Sequence, residues 1–177
     1  SEDEDARRTL REMLEESRKH LKEWEDTSRE LEKKSREVLK ETRKTIAKLA
    51  DRVRKAKENN VDEKSLEDLT REAEETLRKL AEDHKRLVKE WREVIERLRK
   101  TVEDLVRKIR EILKRLAEKG VSEEVLEDIR RKVEKLEEDN RRVMKKDEDA
   151  VRRVEEENRK VLKELKERID RLAEELK

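Results

Sequence analysis

Apolar residues recur along the chain at alternating steps of three and four, the spacing that holds one stripe of an α-helix against a partner helix. One stripe runs from Leu10 through Leu14, Leu21, Trp24, Leu31, Val38 and Leu49 to Val53. A second runs from Leu66 through Leu80, Leu87, Trp91, Leu98, Leu105 and Ile109 to Leu116, and a third from Val125 through Val133, Val143, Val154, Val161 and Ile169 to Leu176. Only two places interrupt the pattern. At Asn59-Asn60-Val61-Asp62 and Lys119-Gly120-Val121-Ser122, a residue that tolerates the left-handed conformation is followed by Val and then by a good helix N-cap. In each restart Val61 or Val121 stands before the cap, with Leu66 or Leu126 at the fourth helical position, the spacing of a hydrophobic staple.

This pattern predicts three helices, at about 2–58, 62–118 and 122–176, with loops at about 59–61 and 119–121. At 1.5 Å of rise per residue each helix is roughly 85 Å long. Loops so short make consecutive helices antiparallel neighbours. The expected fold is therefore all-α: a long antiparallel up-down-up three-helix bundle, coiled-coil-like, forming a single domain over 1–177. Apolar residues flanking the stripes are most numerous on the second helix (Leu77, Val88, Ile95, Val102, Val106, Leu113, Ala117), which favours a closed three-helix core over one open to a further helix.

The stripes also contain polar residues, and their placement is ordered. Burying a hydroxyl, amide or carboxylate without a partner costs on the order of 1–3 kcal/mol, so polar residues strewn through such a core would undo it. Reflected about the two loops, they fall into shared layers instead. Ser17 comes level with Thr101 and Asn140, with His20 on the flank; Trp24 and Ser28 with Trp91 and Asp147; Ser35 with His84 and Asn158; and Thr42 with Thr76, with Thr45 a further polar member. The chemistry suits layers of hydrogen bonds. On this register Asp147 is expected to be an acceptor facing the indole donors of Trp24 and Trp91 and the hydroxyl of Ser28, the alternative being that it leans out to water beside Lys145 and Lys146, while both Asn side chains donate and accept. Such a network specifies register and pairing more than it adds stability.

Composition narrows the functions available. Charged residues make up 58% of the chain, with one Gly and neither Pro nor Cys. Disulfides, thiolate metal sites and cysteine nucleophiles are thereby excluded. Charges interrupt every stretch, leaving no run apolar enough for a membrane span or signal-peptide core. The expected protein carries no targeting signal and is soluble, cytoplasmic if expressed in a cell. The net charge of +1 is evenly spread, and no basic, aromatic-rich face is offered to nucleic acid. Nor does a phosphate loop, a nucleophile elbow or a paired-histidine zinc motif occur.

The two histidines invite a metal or general-base reading, but the predicted register separates His20 and His84 by roughly 22 Å along the axis. Ser35 and His84 come level, yet Asp147 lies about 12 Å further along, too far to orient the imidazole as in a catalytic triad. A core one side chain deep also leaves little room for a small-molecule pocket. The chain is accordingly expected to be no enzyme, to need no cofactor or metal, and to bind no nucleic acid, membrane or small molecule.

The duplicated loops, matched helix lengths, Glu/Lys/Arg surface and layered Ser/Thr/Asn/Trp/His/Asp stripe resemble those of de novo, computationally designed helical bundles of the parametric coiled-coil type with buried hydrogen-bond networks. The resemblance covers the whole chain and rests on style rather than on a motif. It implies a structural scaffold with no natural biochemical activity, monomeric, whose core register is set by polar layers. The alternative it implies is an interaction module, either a three-helix chain that receives a partner helix or a homo-oligomer.

Overall fold

The computed structural model describes residues 2–175, so the expected end of the third helix at 176 lies outside the described residues. The fold is all-α, a three-helix bundle. Helix α1 spans Glu2–Glu58, α2 Glu63–Glu118 and α3 Glu123–Glu175, within a residue of the sequence expectation at every other boundary. Among the described residues there is no strand, and no helix is long and apolar enough to cross a membrane.

Both loops are Schellman turns. At the end of α1 the Asn60 N–H donates to the Lys57 carbonyl and the Val61 N–H to that of Ala56; at the end of α2, Gly120 and Val121 do the same to Ala117 and Leu116. This turn needs a left-handed residue, supplied by Asn60 at φ 53° and Gly120 at φ 81°. The restart of α2 is capped as its sequence suggests, with the Ser65 backbone N–H donating to the Asp62 carboxylate at 2.7 Å. That bond holds the Asp62 carboxyl below its ordinary value. The two staples differ: Val121 is buried in the core with Leu126, whereas Val61 is 40% exposed.

The chain divides into two compact units. Unit 1 comprises residues 1–30 and 91–149, and unit 2 comprises 31–90 and 150–177. In unit 1, Leu10, Trp24, Val102, Ile109, Leu126 and Val133 are wholly buried in one cluster drawn from all three helices. In unit 2, Ile46, Leu49, Ala73, Val161, Leu165 and Ile169 form the corresponding cluster. Each fully buried Leu, Ile or Val contributes about 1.5–3 kcal/mol relative to an exposed one, so these clusters supply the main driving force.

The buried stripe departs in phase from the sequence reading at several points. On α2, Val88, Val102, Val106 and Leu113 are buried, while their neighbours Leu87, Thr101, Leu105 and Ile112 are only half-buried. On α1, Leu39 and Ile46 are buried beside half-buried Val38 and Thr45. At each of these steps two adjacent residues compete for one inward position; at 45 and 101 the apolar neighbour of the Thr goes inside, whereas at 69/70 the Thr does.

Gly120 tests the loop geometry directly. A Cβ at this position meets nothing within 4 Å, so the cost of Gly120→Ala is that of the backbone conformation alone. The substitution is expected to lower stability by about 1 kcal/mol, read as a fall in the urea midpoint at unchanged slope.

Candidate functional site: a buried tryptophan–serine–aspartate layer

Ser28 and Trp24 stand one turn apart on α1 and so share a face, which in unit 1 meets Trp91 of α2 and Asp147 of α3. All four are buried, both tryptophans completely. The Trp91 indole Nε1–H donates to Ser28 Oγ at 3.0 Å, and the Ser28 hydroxyl donates to Asp147 Oδ1 at 2.6 Å. One hydroxyl thus joins three helices, accepting from the second and donating to the third. The shorter bond has the length of a charge-assisted O–H···O⁻ contact.

The layer is not closed on its fourth side. Asp147 Oδ2 and Trp24 Nε1 are both buried without a formed hydrogen bond. The indole lies near enough to favour the ionised carboxyl, although it does not complete a well-aligned bond. Burial is the dominant influence and pushes the Asp147 carboxyl up to about 6; Ser28, Trp24 and Lys146 pull it back, and Glu25 adds to the rise.

The other residues expected in layers divide into two groups. Several hydroxyls turn back onto their own helix: Ser17 donates to the Met13 carbonyl at 2.8 Å, Thr42 to Val38 at 2.8 Å and Thr101 to Arg97 at 3.0 Å. Such bonds satisfy the hydroxyl without reference to another helix. Thr45 and Thr76 are half-buried, as is Asn140, whose Oδ1 has no hydrogen-bond partner. His20 sits on the flank of unit 1, its two ring nitrogens 3.6 Å from Glu16 and 3.5 Å from Glu23 of its own helix. The second group lies in unit 2. Ser35 and His84 are buried, and both Ser35 Oγ and His84 Nε2 lack a hydrogen bond, while Asn158 is half-buried. Burial lowers the His84 imidazole below its ordinary value, against a smaller opposing pull from Glu155.

Sequence reasoning missed Thr70, a buried hydroxyl that donates to the Leu66 carbonyl at 3.0 Å. Its signal was present in the spacing Leu66, Thr70, Ala73, hidden by the more apolar Leu69. The core was expected to leave little room for a pocket; a groove of about 490 Å³ opens on the surface between α2 and α3 of unit 1 along Val106, Arg110, Glu137, Asn140 and Arg141. The groove is a surface feature: long charged side chains stand off both helices, and the Arg110–Glu137 ion pair spans it. No group of three or more His, Cys, Asp or Glu able to hold a metal occurs among the described residues.

By class, the fold is an all-α three-helix bundle whose most organised polar feature is a buried three-helix hydrogen-bond chain. No protein-family model matches the chain, and no curated protein matches it. A solved structure described as a "Computationally designed three helix bundle" is similar to it, at 20% sequence identity over 98% of this chain and 87% of that chain, with a TM-score of 0.43.

The two kinds of hydroxyl separate by mutation. Ser28→Ala leaves Trp91 Nε1 and Asp147 Oδ1 unpaired in the core and is expected to cost about 2–4 kcal/mol. Ser17→Ala removes only a bond to its own helix and is expected to change stability by less than about 1 kcal/mol. Chemical denaturation of the two variants side by side checks the contrast.

Proposed function

We propose that this chain is a structural scaffold of the designed-bundle kind, with no catalytic role, in which the polar layers specify how the helices pair. The observation that carries this reading is the single hydroxyl of Ser28, which links Trp91 and Asp147 across three helices. The nearly identical loops support it, since both helix connections use the same Schellman turn and the same kind of restart. The burial of Ser28 and Asp147 speaks against a catalytic role, because a substrate would have to enter the core to reach them.

The reading makes a demand that a stability role would not. Replacing buried polar partners together by apolar side chains of similar volume is often less costly than removing one of them, and on this reading it removes the pairing specificity. The double variant Ser28→Ala/Asp147→Leu, which removes the buried carboxyl along with its donor and newly unpairs only the Trp91 N–H, is therefore expected to be more stable than Ser28→Ala alone. It should also lose uniqueness, seen as broadened unfolding or several species in size exclusion coupled to light scattering, where the parent chain is expected to give one species near its chain mass of 21.6 kDa. A double variant that stays a single, cooperatively unfolding species would overturn the specifying role. A parent chain that runs as a stable multiple would favour the interaction-module reading.

A further inference from the structure

We infer that the two units respond to acid in opposite directions, unit 1 being tightened through Asp147 and unit 2 loosened through His84. Among the described residues each unit buries one titratable side chain, and in each case one polar atom of that side chain has no hydrogen bond to support a charge.

In unit 1, only one carboxylate oxygen of Asp147 is bonded. A proton on Oδ1 lets that oxygen donate to Ser28 Oγ, which still accepts from Trp91. The Ser28 hydroxyl is then free to donate to its own helix, as Ser17 does. Oδ2 remains an acceptor on the side of the Trp24 N–H. The charges that act on this carboxyl are Glu25 of α1, which opposes its ionisation, and Lys146 of α3, which favours it; α2 contributes the uncharged Trp91.

In unit 2, the Arg36–Glu157 ion pair at 3.0 Å links α1 to α3, and Glu155 of α3 acts on His84. Ser35 Oγ and His84 Nε2 are both buried in this unit without a hydrogen bond, and a neutral ring leaves Nε2 uncharged there. A protonated ring makes both nitrogens donors and carries a charge into a buried site. Glu155 favours that form, and its effect is smaller than that of burial.

The signs follow from linkage. The folded-state value for Asp147 is raised from 3.8 to about 6, so its stabilisation is complete below 3.8 and is lost as pH rises through about 6. The folded-state value for His84 is lowered from 6.5, so its stabilisation is complete above 6.5 and is lost as pH falls through the lower folded value. Between pH 7 and 5 both act, with opposite sign.

The test is residue-resolved amide hydrogen exchange at pH 7 and pH 5, corrected for intrinsic exchange rates. The difference between units is the readout, because surface carboxylates act on both. On acidification, protection around residues 143–149 is expected to rise about tenfold relative to that around residues 80–88. Asp147→Asn should abolish the rise and leave the fall in unit 2, and His84→Gln the reverse. In the unmodified chain, the His84 ring resonance should titrate with a midpoint below 6.5. Equal responses in both units, differential responses that survive in both variants, or a His84 midpoint at or above 6.5 would overturn the inference.

Discussion

A carboxylate withdrawn from water needs donors, and in a core one side chain deep those donors must come from neighbouring helices. Asp147 meets this need through Ser28, and Ser28 in turn is held by Trp91. The arrangement tolerates little axial freedom. Sliding α3 by one heptad against α1 moves Asp147 by about 10 Å, far outside hydrogen-bond reach, and leaves the carboxyl facing hydrocarbon. An apolar seam of Leu, Ile and Val has no comparable penalty, since a slip by one heptad exchanges one aliphatic contact for another. Under the proposed function, the register of unit 1 rests on one bond between α1 and α3 and one between α1 and α2.

That role belongs to hydroxyls that cross between helices, and not every buried hydroxyl does. Ser17, Thr42 and Thr70 return their protons to carbonyls one turn back. They are satisfied in any register, and so distinguish none. Ser28 differs because an acceptor stronger than a backbone carbonyl, an ionisable carboxyl, lies within reach on another helix. The competition between the local carbonyl and the distant carboxylate decides whether a hydroxyl is a mere occupant of the core or a constraint on it. Protonating Asp147 weakens the distant acceptor and reverses the direction of the shared bond.

Much of this was legible in the sequence. The helix boundaries followed from two punctuation sites, because Asn60 and Gly120 are residues able to take the positive φ of a Schellman turn without large strain. Reflection about those turns placed Ser28 level with Trp91 and close to Asp147. Phase was less legible. Wherever two adjacent positions could both face inward, as at Leu87/Val88, Thr101/Val102 and Ile112/Leu113, a three-four spacing fits either, and packing makes the choice. Reflection also cannot say whether a level residue reaches across. Thr101 came level with Ser17 and Asn140, but Val102 took the inward position, and the Thr101 hydroxyl returned to its own helix.

The surface explains why so few residues can carry so much of the specificity. With 52 basic and 51 acidic residues, many ion pairs form between positions three or four apart on one helix, such as Arg8–Asp5, Arg107–Asp104 and Lys132–Asp128. These pairs support each helix without referring to its neighbour, and solvent screens them. Cross-helix pairs such as Arg52–Glu72 and Arg36–Glu157 exist, but long side chains at the surface can exchange one partner for another at small cost. A charge-rich exterior is therefore permissive about pairing, and an aliphatic seam is permissive about axial position. Under the proposed function, the information that selects one arrangement resides where desolvation makes a missing partner expensive, which is at the hydrogen-bonded buried atoms of Ser28, Asp147 and Trp91.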